Sequence, residues 1–286
     1  MVWARECVKG RQMDTHAASE TTLANSAIEQ IAESLFEARG DGEKIALPRA
    51  KLQLADAYAI QDTITRLGHG AAAWKTSLPQ PAFAALGIYE MAVCAPILED
   101  DMHRADGGKP VVARQSVTGP DETVGLELEV AYKIGRDFPP SREVPVAADV
   151  LAGIASAHIA VEICGMRWSE PSPPYLWMLA DSMMNRSFVL GEALPGWEAL
   201  DFAALTARQF LGGKLLQEST GGHKSGNPLS LVVWQVQHCV RYRGGIRAGT
   251  VITTGQLCGN HWVKPDGKVR GEFPSLGRAI EFDLTA

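Results

Sequence analysis

The ten residues Gly125-Leu126-Glu127-Leu128-Glu129-Val130-Ala131-Tyr132-Lys133-Ile134 alternate with a period of two. Leu126, Leu128, Val130, Tyr132 and Ile134 are apolar or aromatic, while Glu127, Glu129 and Lys133 fall between them. Alternation of this kind predicts a half-buried β-strand. In a strand, i and i+2 side chains leave the same face with Cα atoms roughly 6.5 Å apart, so both carboxylates can reach one cation. In a helix they would diverge by about 200°.

Two carboxylates side by side repel, and without a counter-charge the pKa of at least one rises. A divalent cation removes that repulsion, and an oxygen-only ligand set suits Mg²⁺ or Mn²⁺ better than Zn²⁺. The competing reading of Glu-x-Glu is an ordinary strand with its polar face in water. Downstream, His158-Ile159-Ala160-Val161-Glu162-Ile163 alternates in the same way. Glu162 leaves that strand opposite the large apolar residues, so Glu127, Glu129 and Glu162 could converge from two paired strands into a carboxylate site with open positions for water and substrate.

The rest of the 286 residues frame those strands. With 46% hydrophobic and 21% charged residues the composition is that of an ordinary globular protein. A net charge of −6 carries no basic footprint for nucleic acid or an acidic membrane. Five cysteines, Cys7, Cys94, Cys164, Cys239 and Cys258, show no C-x-x-C or Cys/His spacing, so neither a disulfide framework nor a zinc site is expected. A reducing cytoplasm is the matching expectation. No apolar run approaches the ~18 residues of a spanning helix and the start lacks a signal-like apolar core, so neither membrane insertion nor export is expected.

In chain order, residues 1–20 lack periodicity and read as a loose tail. Residues 21–70 are helical: Ile28, Ile31 and Leu35 mark a helix over 19–38 stopped by Gly40, and Ala57, Ile60, Ile64 and Leu67 mark a second over 54–67 stopped by Gly68. Residues 71–286 form a β-rich core integrated with them into one domain. Ala71 to Ser77 is a short strand with Lys75 near its end, and 79–123 reads as a loop-rich stretch. After the Glu-x-Glu strand come a short helix over 146–157 and a strand over 158–163. A proline loop follows Arg167, then a strand over 187–190 and a hairpin across Gly212-Gly213. Asn227-Pro228 starts a helix that stops at Gly244-Gly245. A strand over 250–254 ends at Gly255, a hairpin turns at Pro265-Asp266-Gly267, and 278–284 is the last strand. Helices first and strands later, without a βαβ rhythm, specify an α+β fold: a helical N-terminal part followed by a curled, mixed β-sheet core.

Several short motifs occur together: Asp56-Ala-Tyr-Ala-Ile-Gln61, Trp74-Lys75, Glu127-Leu-Glu129, Glu162 with Arg167, Ala180-Asp181, Gly226-Asn-Pro-Leu229 and Thr253-Thr-Gly255. In this order and spacing, from about residue 23 to 284, the chain resembles the 2-keto-4-pentenoate hydratase group of the fumarylacetoacetate hydrolase superfamily. The resemblance implies Mg²⁺ or Mn²⁺ on Glu127, Glu129 and Glu162, chelated by a 2-oxo acid. It implies Lys75 at the oxyanion or in proton transfer, and Thr254 on the substrate carboxylate. The expected partners are a small-molecule 2-oxo acid and further copies of the chain in a homo-oligomer. An aspartate usual to the group after a Leu-Gly pair is missing: Leu86-Gly87 leads to Met91-Ala-Val-Cys-Ala-Pro96. Ser77, Ser182 and Gln256 also depart from the pattern.

Three functions remain open on these residues. The leading one is hydration of an unsaturated 2-oxo acid from aromatic-compound catabolism. C–C hydrolysis of an acylpyruvate or decarboxylation of an oxo-dicarboxylate could use the same site, and a non-catalytic metal- and oxo-acid-binding subunit would keep its carboxylates. Cys94 reads as a small apolar loop residue rather than a nucleophile, and Glu99-Asp100-Asp101 as a solvated loop. His69, His158, His223 and His261 read as structural or supporting. Tyr175, Trp168 and Trp177 could line a pocket or an oligomer contact.

Overall fold

The structure, a computed structural model, describes residues 22–78, 92–105, 111–115 and 122–286. The expected tail and the Leu86-Gly87 segment lie outside the described residues.

Helix α1 (Asn25–Asp41) buries Ile28, Ala32, Leu35 and Ala38 along one face. It runs past Gly40 and stops at Gly42, whose φ of 74° is the left-handed cap that glycine adopts without a Cβ penalty. Helix α2 (Leu54–Leu67) ends before Gly68 as its pattern predicts, and Asp56 closes a capping box with Gln53. Asp56 also accepts hydrogen bonds from the Thr22 and Leu23 amides at 2.7 and 3.0 Å, so one carboxylate ties the two helix starts together. Burial opposes its charge, but these donors prevail and hold its pKa below the usual value.

Among the described residues the strands form two sheets. In chain order they are β1 (Ala71–Ser77), β2 (Val93–Leu98), β3 (Met102–Arg104), β4 (Val112–Arg114), β5 (Val124–Ile134) and β6 (Ile154–Cys164), followed by β7 (Asn185–Ala193), β8 (Thr206–Leu211), β9 (Lys214–Thr220), β10 (Val251–Val263), β11 (Gly267–Phe273) and β12 (Arg278–Thr285). The seven-stranded sheet has the order β2-β1-β10-β5-β6-β7-β3, and the five-stranded sheet β4-β12-β11-β8-β9. Parallel β1–β10, β3–β7 and β4–β12 pairs among antiparallel ones make both sheets mixed. The expected α+β class, with helices first and a curled mixed sheet core, is the observed architecture.

β5 is central, and it is buried on both faces rather than half-buried. Its apolar side packs on the five-stranded sheet: a Cβ at Gly271 of β11 would lie 2.6 Å from Leu128 Cδ1, so the two sheets approach too closely there for a side chain. Its other side carries Glu127 and Glu129. Helix α5 (Leu229–Tyr242) has Pro228 at its N-cap position, one residue later than the Asn-Pro signal places it, and Asn227 Oδ1 accepts the Leu229 amide at 3.0 Å.

Several local expectations are corrected. The stretch 79–123 is not all loop, since β2, β3 and β4 lie in it. The helix expected over 146–157 is only α3 (Ala147–Ala152), because β6 begins at Ile154. The proline loop contains a further helix, α4 (Tyr175–Ala180). The strand expected to end at Gly255 continues to Val263, with register shifts on either side of Gln256 that absorb the glycine as a bulge. Cys94 lies buried within β2 rather than in a loop, and burial raises its thiol pKa to about 11. Trp168 and Trp177 are interior, packed edge to face at 5.3 Å, so neither is a surface contact.

Candidate active site

In the antiparallel β5–β6 ladder Glu127 stands directly opposite Glu162, and Glu129 opposite Ala160. Alternation places Glu127, Glu129, Glu162 and Cys164 on one face of the sheet. Glu129 and Glu162 are fully buried and Glu127 is 8% exposed. Candidate ligand atoms of Glu127, Glu162 and Cys164 lie within 4.8 Å of one another, whereas Glu129, farther along the face, is not part of that tight group.

Neighbouring strands orient each carboxylate. Asn260 Nδ2 of β10 donates to Glu127 Oε1 at 2.7 Å, and Asn185 Nδ2 at the start of β7 donates to Glu162 Oε1 at 2.9 Å. Glu129 Oε2 accepts from the Thr253 hydroxyl and from the Gly255 amide at 3.3 Å. The β10 bulge allows this, because it lets Thr253 and Asn260 of one strand serve two acids on the next. Lys75 reaches in from β1, with Nζ 2.8 Å from Glu162 Oε2, 3.2 Å from the Met183 carbonyl it donates to, and 3.8 Å from Cys164 Sγ.

The electrostatics follow from this crowding. Burial works against the Lys75 charge, but the Cys164 sulfur and the three carboxylates outweigh it and hold the ammonium well above the ordinary lysine range. Burial, then Glu162 and Glu127, raise Glu129 well above the usual carboxylate value. Glu162 is raised by burial, with Lys75 pulling the other way. One ammonium thus faces three buried acids, and Glu129 Oε1 has no hydrogen-bond partner among the described residues. A donor set with excess negative charge and an orphaned buried oxygen fits a divalent cation.

Of these groups Lys75 and Glu127 line a cavity of about 340 Å³, whose wall also includes Tyr175, Met183, His223 and Thr254, while Glu129 and Glu162 lie behind it. Thr254 is 2% exposed, and its hydroxyl lies 3.4 Å from the Val130 carbonyl. His223, which the sequence marks only as structural or supporting, belongs to this wall; burial lowers its pKa to about 4, so its ring is neutral near pH 7. Behind the acids, Arg167 pairs with Asp181 at 2.7 Å and donates to the Asn185 carbonyl at 2.8 Å, which explains why both lie in the resembling motifs. Asp101 pairs with Arg39, which also donates to Ser182 Oγ at 2.6 Å, so this residue of the acidic turn is engaged away from the cavity.

Sequence reasoning brings Glu127, Glu129, Glu162, Lys75 and Thr254 to this region, and it misses Cys164, Asn185, Thr253, Asn260 and His223. Cys164 carried a signal, since it is i+2 of Glu162 on a strand. Asn185 and Asn260 carried none, because their reach depends on strand pairing.

No protein-family model matches the chain. It is 28% identical over 265 residues to a 2-keto-4-pentenoate hydratase of Paraburkholderia xenovorans, covering 86% of this chain and 95% of that protein. It is 28% identical over 261 residues to a 2-keto-4-pentenoate hydratase of Burkholderia vietnamiensis, covering 88% and 96%. The structure of 4-oxalocrotonate decarboxylase from Pseudomonas putida G7, complexed with magnesium and adipate, superposes with a TM-score of 0.73 at 20% identity, over 92% of this chain and 99% of that one. Fold and sequence agree: over most of its length this chain is similar in sequence to 2-keto-4-pentenoate hydratases, and it shares the fold of 4-oxalocrotonate decarboxylase.

Proposed function

We propose that the chain is a divalent-cation-dependent hydro-lyase that adds water to a 2-hydroxydienoic acid, the unsaturated 2-oxo acid class formed in aromatic-compound catabolism. The observation that carries this reading is the opposed Glu127–Glu162 pair with the Lys75 ammonium beside it, Lys75 and Glu127 lining one cavity. The curated relatives' names point the same way. Glu127, Glu129 and Glu162 would hold Mg²⁺ or Mn²⁺, which when bound supplies Lewis-acid polarisation of a 2-oxo group.

The chain's own residues account for the remaining chemistry. The 2-hydroxydienoate must first ketonise, losing the hydroxyl proton and gaining one at C5; water then adds across the enone, its oxygen at C4 and a hydrogen at C3. Lys75 is the charged proton carrier within reach of the acids, held as ammonium by them, so it is suited to donate a proton or to stabilise the developing enolate. Thr254 offers a hydroxyl to the substrate carboxylate from the same wall. Burial of the acids excludes bulk water from everything but the cavity side.

The test is a side-by-side assay, with Mg²⁺ added, of 2-hydroxypenta-2,4-dienoate consumption and acylpyruvate cleavage, in wild type and Lys75→Met. Consumption of the dienoate that vanishes in the variant is expected. Acylpyruvate cleavage without dienoate consumption would replace the hydratase by a hydrolase, and inactivity in both assays with Mg²⁺ bound would make the chain a binding subunit.

A further inference from the structure

Glu162 and Cys164 leave β6 on the same face, two residues apart, and Glu127 faces them from β5. Across the ladder from Cys164 stands Gly125, where a Cβ would lie 2.3 Å from Asn260 Oδ1. The missing side chain therefore admits Asn260, which in turn aims Glu127 at the same spot. The result is one sulfur and two carboxylates whose ligand atoms all lie within 4.8 Å of one another, every residue buried. A cationic group already stands at their edge: Lys75 Nζ is 3.8 Å from the sulfur and 2.8 Å from Glu162 Oε2. On the same face, Glu129 Oε1 is buried and unpartnered among the described residues.

Carboxylate oxygens alone favour hard cations, and a thiolate adds a soft donor that Mg²⁺ gains little from and that Zn²⁺, Co²⁺ or Fe²⁺ gain much from. We propose that Cys164 is a ligand of the cation site, making it a mixed carboxylate–thiolate centre that prefers a borderline-soft divalent cation to Mg²⁺. Mg²⁺ and Mn²⁺ remain held by the carboxylates. Ligation breaks the S–H bond heterolytically: the electron pair stays on sulfur and forms the metal–sulfur bond, the proton passes to solvent, and nothing is oxidised or reduced. The inference rests on the carboxylate site of the proposed function and deepens it.

Cobalt separates the two readings. The full chain is titrated with Co²⁺ and its visible d–d and near-ultraviolet spectra are recorded, then repeated with Cys164→Ala, Cys164→Ser and Glu162→Gln. The expected result is a near-ultraviolet sulfur-to-cobalt charge-transfer band that rises with the visible bands and disappears in both Cys164 variants, while their visible bands persist. Competition with Zn²⁺ and Mg²⁺ should show the Zn²⁺ preference falling at least about tenfold in those variants. Saturating visible bands without the charge-transfer band overturn the thiolate ligand and leave the carboxylate site standing. So does a charge-transfer band that survives in both Cys164 variants, because another cysteine then supplies it. Absence of any visible band, in wild type as in Glu162→Gln, overturns the carboxylate site itself and the inference with it.

Discussion

The Lys75 ammonium stands 2.8 Å from Glu162 Oε2 in a space where Glu162 is fully buried. The ammonium is not easily lost there, because its loss would leave the buried carboxylates without their counter-charge. The lysine is thereby kept protonated at the place where a substrate's developing negative charge would need it.

Replacing Lys75 by methionine should therefore cost dienoate hydration about 10² to 10⁴ in turnover, the usual contribution of a general acid–base group. Steady-state kinetics with Mg²⁺ present read this directly. A loss of less than about threefold would remove Lys75 from the proton-transfer role, since it falls far below that range.

Glu127→Gln removes one charge from a cluster with an excess of like charges. Mn²⁺ affinity, followed by calorimetric titration, should weaken at least about tenfold, the lower end of what loss of a metal site's supporting groups costs. Without metal, the same variant should unfold at equal or higher urea concentration than wild type, because less repulsion is buried. Wild-type Mn²⁺ affinity would take Glu127 out of the ligand set.

Breaking the Arg167–Asp181 pair should act on stability first. Both side chains are almost fully buried, so Asp181→Ala leaves a desolvated guanidinium and should lower unfolding free energy by about 3–5 kcal/mol. Adding Arg167→Met should recover part of that loss, which urea denaturation of the single and double variants would show.

Acid should weaken the fold through two buried histidines. Burial lowers His223 to about 4, and burial with Arg243 lowers His238 to about 3, from an ordinary 6.5. Between 6.5 and those values the unfolded chain binds protons that the folded chain refuses, so this contribution is complete above pH 6.5 and declines as pH falls toward 4 and 3. Each histidine adds a slope of up to about 1.4 kcal/mol per pH unit. Glu129 and Glu162, whose pKa values are raised, act in the opposite direction over the same window, so the test is a difference: from pH 7.5 through 6.0 to 5.0 the urea midpoint of wild type should fall relative to that of His238→Gln.

Much of this arrangement was legible in the residues because it depends on period and spacing. The i, i+2 carboxylates of β5 and the alternation around Glu162 placed three acids on one sheet face, and the register of β5 with β6 then set Glu127 against Glu162. What alternation could not convey was the environment of that face, since a polar strand face in water and a buried charged site look alike in sequence. The end of β10 was misjudged for a related reason: Gly255 reads as a stop, yet its φ of 100° serves a bulge inside a longer strand. Asn185 and Asn260 stayed hidden because they meet the acids only through long-range pairing.

Ser182, Met183 and Met184 have φ values of 49°, 52° and 65°, three successive non-glycine residues in the left-handed region. Such conformations cost on the order of 1–3 kcal/mol each and persist only where surroundings hold them. Here the holders are Arg39 on Ser182 and the Arg167–Asp181 pair just before the turn, and Met183 in turn supplies the carbonyl that Lys75 grips. A strained turn held by so few contacts is expected to let go first. Under mild denaturant or gentle heating it should spring before the sheets let go, so catalytic competence fades while the β-sheet signal is still intact, and returns on cooling as soon as three residues re-latch.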